Sequence, residues 1–306
     1  MADITAAMVK DLREKTGVGM MDCKAALAAT NGDMNAAVDW LRAKGLAKAA
    51  KKSTRVAAEG LVGLAVEGTA GALVEVNSET DFVTRNDKFQ TMVAEIAKLA
   101  LKAGGNSEKL KVAHYPGSKH AVAEYVAEMV ASIGENMGVR RTAALSVKEG
   151  VIGSYVHNSI APGLGKIGVI VAVESTGKKD ELVQFGKDLA MHIAAINPVA
   201  IDLTGVPKET IEREKAILAE KNIGKPEKVL EKIMESGLKS YAKENTLLEQ
   251  AYAKDSTKSV SQLIAEVTKA AGAPIKIAAF VRMQLGEGIE KKEDDFAAEV
   301  AKAANA

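Results

Sequence analysis

The sequence predicts an α+β fold with antiparallel strands, arranged in several parts along 306 residues. Three patterns carry that expectation. Apolar residues near the N-terminus recur at helical spacing in three short runs. A unit of two strands and a helix then occurs twice. Between residues 207 and 245, two helical runs rich in Lys and Glu form an antiparallel pair. The chain also exceeds the ~250 residues beyond which single cores rarely grow.

In chain order, Met8, Val9 and Leu12 share one helical face, and Gly17 and Gly19 break the run. Met20, Met21 and Leu27 mark a second helix that stops at Asn31-Gly32. Asp33 can cap a third, with Met34, Ala37, Val38 and Leu41 facing inward. Such a bundle is too small for an enzyme cleft but suits docking. Arg42, Lys44, Lys48, Lys51, Lys52 and Arg55 follow with no acid between them. No aromatics accompany them, so a solvated linker is expected rather than a nucleic-acid arm, which closes a first unit at 1–55.

The duplicated unit comes next. Gly60-Leu61-Val62-Gly63 corresponds to Gly150-Val151-Ile152-Gly153, and the strand Ala72–Val76 to Val169–Val173. Phe89, Val93 and Ala97 of one following helix match Phe185, Leu189 and Ile193 of the other. These are expected to be two similar subdomains, 56–145 and 146–285, joined through helical residues 119–141. The short connections require antiparallel strands. The helix hairpin 207–245 interrupts the second subdomain, broken at Gly224-Lys225-Pro226, and a helix from Ser259 to Ala271 and a strand from Ile275 to Leu285 return to it. The tail, 286–306, is expected to form a helical module anchored by Phe296 and Val300.

Composition narrows the function. The apolar and charged fractions, 47% and 26%, are those of a soluble globular protein, and no apolar run approaches the ~20 residues of a bilayer span. Met1-Ala2-Asp3-Ile4-Thr5 lacks the features of a signal peptide, and the single Cys23 fits a reducing cytosol, so a cytoplasmic location is expected. A net charge of +1 argues for neither nucleic acid nor membrane as a direct partner. No close pair of acids suggests acid–base catalysis, and no loop ends in Gly-Lys-Ser/Thr. Gly163-Leu164-Gly165-Lys166-Ile167-Gly168 matches a dinucleotide-binding pattern, but a strand follows it where that site needs a helix. A hairpin loop is expected there, with no cofactor. Cys23 has no nearby His to activate it and is expected to be structural. His114 and His120 flank a turn without a third metal ligand, and His192 sits within an apolar helical run. His157, at the tip of the second unit's longer hairpin, is either a surface polar residue or a partner contact. The chain is expected to be neither an enzyme nor a metalloprotein.

The segment Thr80-Asp81-Phe82-Val83 stands where a strand hands over to a helix. With only 5 Phe in the chain, an aromatic in that loop needs a reason. Phe82 could tuck into the core while Asp81 caps the helix. The second unit argues against that, because its equivalent loop is Gly177-Lys178-Lys179-Asp180, with no apolar replacement. The unit closes without a Phe, so Phe82 is expected to probe a partner.

Thr80-Asp81-Phe82-Val83 resembles the signature of the translation elongation factor Ts family. Further stretches are similar to the same family in order along the chain: Leu12-Arg13, then Thr16 through Leu27 including Met20-Met21-Asp22-Cys23, then Gly153-Ser154-Tyr155-Val156-His157, and Gly286-Glu287-Gly288-Ile289-Glu290. The resemblance implies a ubiquitin-associated-like three-helix N-terminal domain, two similar core subdomains, an inserted coiled coil and a C-terminal helical module. It implies guanine nucleotide exchange on the GTPase elongation factor Tu, GDP-bound and nucleotide-free, and leaves self-association within the complex open. By that resemblance Asp81 and Phe82 enter the GTPase near its Mg²⁺ site, Met20 and Met21 touch the same domain, and His157 meets another. The loop Asn158–Lys166 is longer than the family's usual one.

Overall fold

A computed structural model describes residues 4–16 and 18–290, with the backbone alone over 46–48. The N-terminal part holds α1 (Ala6–Thr16), α2 (Met20–Ala29) and α3 (Met34–Lys52). Leu12, Cys23, Ala26, Leu27, Ala37 and Leu41 form its core. The Asp33 carboxylate accepts the Ala36 N–H at 2.9 Å and so starts α3. The Cys23 thiol is buried and donates to the Val18 carbonyl at 3.5 Å, a structural arrangement.

The expected linker over Arg42–Arg55 does not hold, because α3 continues to Lys52. Ala and Lys are strong helix formers, and their alternation here extends the helix instead of ending it. Gly45 does not break it either. A Cβ at Gly45 would lie 2.9 Å from the Ala131 Cβ, so the glycine permits close helix contact.

The middle of the chain builds two antiparallel sheets. In order, the elements are β1 (Glu59–Glu67), β2 (Ala70–Ser78), α4 (Asp87–Lys102), α5 (Ser107–Val112), α6 (Val122–Ile133), β3 (Met137–Ser146), β4 (Gly150–His157), β5 (Leu164–Gly165), β6 (Ile167–Glu174) and α7 (Lys179–Ile196). After them come α8 (Lys208–Glu220), α9 (Glu227–Asn245), β7 (Ala251–Tyr252), β8 (Asp255–Ser259), α10 (Val260–Ala271) and β9 (Lys276–Gln284). One sheet has the order β3-β2-β1-β5 and the other β4-β6-β9. The expected helical join over 119–141 is corrected at its end. Gly134, at φ +93°, terminates α6, and Met137 begins a strand. Adjacent Arg140 and Arg141 hide the alternation that would have announced it.

Strand alternation sets the layers. Leu61, Ala72 and Val74 face α4, with Phe89, Val93 and Ala97. Val169, Val171 and Val173 face α7, with Phe185, Leu189 and Ile193. The opposite faces meet each other through Val62, Leu73, Ile152, Ile170 and Met283. The order through the core is therefore helix, sheet, sheet, helix. Gly60 and Gly150 sit at φ +120° and +128°, each pressed against a carbonyl of the neighbouring strand, Val76 and Val173. Across from β2 and β6, the strands β3 and β9 each carry a bulge, with Arg140 the extra residue opposite Glu75/Val76 and Ala278 the extra residue opposite Ala172/Val173.

Gly153 packs directly on Gly186 of α7, where a Cβ would lie 2.2 Å from the Gly186 carbonyl oxygen. Gly153→Ala is therefore expected to cost about 1–3 kcal/mol through overpacking. A urea-unfolding comparison checks this, and an unchanged midpoint would contradict the close contact.

Helices α8 and α9 form the hairpin expected over 207–245, with Leu218 against Gly237. A capping box between Ser259 and Gln262 starts α10. His192 is buried and links α7 to the β7–β8 hairpin: its Nε2 pairs with Gln250 Oε1 at 3.1 Å, and its Nδ1 accepts the Ala253 N–H at 3.1 Å. Burial lowers its pKa, against the opposing Gln250 bond. Phe296 and Val300, the expected anchors of a tail helix, lie outside the described residues. Among the described residues, no helix is long and apolar enough to cross a membrane.

Candidate functional site

The segment Thr80–Val83 leaves the end of β2 and enters a short 3₁₀ turn, Phe82–Arg85. Its two apolar side chains have opposite fates. Val83 is 4% exposed and belongs to the first sheet's helix-side core, whereas Phe82 is 74% exposed. Leaving a Phe in water forgoes roughly 1.5–3 kcal/mol of burial. Asp81 precedes the turn and its side chain makes no capping bond. Asn86 caps α4 instead, accepting the Lys88 and Phe89 N–H groups at 2.9 and 3.3 Å.

The loop is held from inside. Thr84 donates its hydroxyl to the Asp81 carbonyl at 2.6 Å, Gln90 Nε2 donates to the Thr84 carbonyl at 2.8 Å, and Ser78 Oγ to the Thr80 carbonyl at 2.9 Å. Glu135, from the turn between α6 and β3, accepts the Thr80 N–H at 2.9 Å and the Thr80 hydroxyl at 2.7 Å. In return, Glu79 accepts the Asn136 N–H. The ring is thus exposed on a braced backbone, not on a slack loop.

The other predicted contacts lie on other parts of the chain. Met20 and Met21 open α2, 57% and 79% exposed. His157 ends β4, exposed, with its Nδ1 3.2 Å from the Tyr155 hydroxyl. The long loop after it is not slack: Leu164–Gly165 pairs with Val62–Gly63 as the outer strand of the first sheet. Gly163 through Gly168 accordingly run from that strand into β6, with no helix to receive a pyrophosphate. Among the described residues, no group of three His, Cys, Asp or Glu side chains is placed to hold a metal.

Comparison with known proteins covers nearly the whole chain. Residues 79–287 match the family model described as Elongation factor TS. Proteins named Elongation factor Ts from Methylobacterium sp. (strain 4-46), Bradyrhizobium sp. (strain ORS 278) and Xanthobacter autotrophicus (strain ATCC BAA-1158 / Py2) are 62%, 60% and 59% identical to it, over 99% of this chain and 99% of each of them. The chain belongs to the elongation factor Ts family.

The elongation factor Ts match begins and ends on carboxylates of two networks. Glu79, at its start, braces the Phe82 loop. Glu287, at its end, joins a network around Glu75 that sequence reasoning missed. Glu75 is 0% exposed. Its carboxylate accepts from Arg140 Nη1 at 3.0 Å, Arg141 Nε, Asn77 Nδ2 at 3.1 Å and the Gly286 N–H at 2.8 Å. Arg140 and Arg141 in turn donate to the Glu287 carbonyl and carboxylate at 2.6 and 3.1 Å. Burial pushes the Glu75 pKa up, but the hydrogen bonds from Gly286, Asn77 and Arg141 outweigh it and hold the group below its ordinary value. The Gly286-Glu287 stretch is thereby tied back to the first sheet. The available sequence signal was an acid at an inward strand position two residues after Leu73.

Proposed function

We propose that the protein is a guanine nucleotide exchange factor for elongation factor Tu, acting in translation elongation, with Phe82 as a wedge and Asp81 as a local electrostatic disturbance. Membership of the elongation factor Ts family supports the exchange activity and the partner. The observation that carries the assignment to Phe82 is its exposed ring beside the buried Val83. The remainder of the mechanism is a linkage argument. A factor speeds nucleotide release only by stabilising the nucleotide-free or Mg²⁺-free GTPase more than the loaded one. Mg²⁺ requires near-octahedral oxygen ligands that bridge protein and phosphate, so a ring driven between packed side chains at that site loosens the phosphate clamp. The Asp81 carboxylate, brought close to the same ion, competes with its ordered ligands.

Met20, Met21 and His157 would add contacts away from the nucleotide, contributing affinity and orientation rather than release. The factor undergoes no chemistry in this cycle and needs no cofactor of its own. The test is the release rate of fluorescent GDP from elongation factor Tu with and without the protein. A large acceleration supports exchange. A rate that does not rise with added protein overturns it.

A further inference from the structure

We propose that Glu135 is a positioning residue for the Asp81–Phe82 tip, and that it passes the placement of α3 on to that tip. The inference rests on the exchange reading for its functional consequence but not for its geometry.

Thr80 immediately precedes the tip, and both of its donors end on one carboxylate. The backbone N–H reaches Glu135 Oε2 at 2.9 Å and the hydroxyl reaches Oε1 at 2.7 Å. Charge-assisted bonds of this kind are the strong class, and two to one group set direction as well as distance. Glu135 belongs to the turn 134–136, which is itself held from several sides. Lys52, the last residue of α3, donates to the Gly134 carbonyl. Asn136 Nδ2 donates to the Arg55 carbonyl at 2.7 Å, and its N–H goes to Glu79. Arg55 also lies 3.5 Å from Glu79, as an ion pair.

The same turn therefore receives the end of the long N-terminal helix and delivers two bonds to Thr80. Because α3 starts within the N-terminal core and reaches this turn without interruption, a shift of α3 moves Glu135 and, through Thr80, the ring. The second half of the chain holds its loop equivalent to Thr80–Val83, residues 177–180, differently. There Lys178 N–H donates to the Ala271 carbonyl at 3.0 Å, a backbone contact with α10. The carboxylate brace belongs to the half that carries the Phe.

The experiment uses the full-length protein with Glu135→Ala, Glu135→Gln and Thr80→Val, and the double variant Glu135→Ala with Thr80→Val. Phenylalanine is replaced biosynthetically by 4-fluorophenylalanine, and the Phe82 fluorine signal is assigned with Phe82→Leu. The expected result is a displaced or broadened Phe82 signal in Glu135→Ala and a smaller change in Glu135→Gln, which keeps one acceptor oxygen. In saturating exchange assays on elongation factor Tu, the maximal GDP release rate should fall roughly tenfold for Glu135→Ala, as loss of charged hydrogen bonds implies. The factor concentration giving half that rate should hardly change. The double variant should lose no more than Glu135→Ala alone, which already removes both bonds. An unmoved Phe82 signal in Glu135→Ala overturns the positioning role, whatever the exchange assay reads. A moved signal in a protein whose unaltered form fails to accelerate release retains the brace and removes the exchange reading instead.

Discussion

Phe82→Ala is expected to slow stimulated GDP release from elongation factor Tu roughly thirtyfold, equivalent to about 2 kcal/mol at an interface hot spot. The unfolding midpoint should stay where it is. The two outcomes separate because the ring is 74% exposed, so its removal opens no cavity in the free protein. Val83 next to it provides the contrast. It is buried in the first core, and Val83→Ala should lower stability before it touches exchange. Phe82→Leu tests what the ring contributes, because it keeps apolar volume while losing the flat aromatic shape. A Phe82→Ala protein that releases GDP as fast as the unaltered one would remove the wedge and move the mechanism to another contact.

Glu75→Ala is expected to destabilise the fold by about 3–5 kcal/mol, since it leaves two guanidinium groups without their central partner. Urea unfolding at neutral pH checks the magnitude. The unaltered protein also carries a pH signature. The folded pKa of Glu75 lies below its unfolded value, so its stabilisation is fully present above about 4.3 and is lost as pH falls through the lower folded value. Glu75→Ala should flatten the stability profile in that acid range. The second half shows how the same position is handled without charge. Ala172 stands at the corresponding bulge, opposite Ala279, with Ala278 as the extra residue. Replacing Glu75, Arg140 and Arg141 together by Ala should recover part of the loss from Glu75→Ala, because no charge is left unpartnered. A triple variant less stable than Glu75→Ala would show that the arginines stabilise through other contacts.

The Glu75 network also gives the stretch Gly286-Glu287 a structural role beyond its motif. Gly286, at φ +72°, lies against the Ala58 carbonyl, where a Cβ would approach to 2.6 Å. The backbone there needs glycine both for its conformation and for its closeness. With that approach made, Arg140 and Arg141 bridge Glu75 to Glu287 and hold the end of β9 against the first sheet.

The sequence by itself determined the local elements and the candidate probe. Short-range patterns are written into neighbouring residues: helical spacing in α1 and α7, the Asp33 cap, the paired glycines at 60 and 150, and the absence of an aromatic in the second unit's loop. It misplaced what neighbouring residues do not encode. Lys and Ala after Arg42 looked like a solvated linker because their composition is polar, yet their propensity is helical and the contact that buries Ala49 lies on a distant segment. Strand β3 escaped notice because Arg140 and Arg141 occupy positions whose partner, Glu75, is contributed by another strand. Only the tertiary structure decided that Glu135 reaches Thr80, that the long loop after His157 joins the first sheet as β5, and that Glu75 is buried. Each depends on backbone or side-chain groups brought together across many residues of chain, where the stabilisation comes from desolvation and hydrogen-bond geometry rather than from any local periodicity.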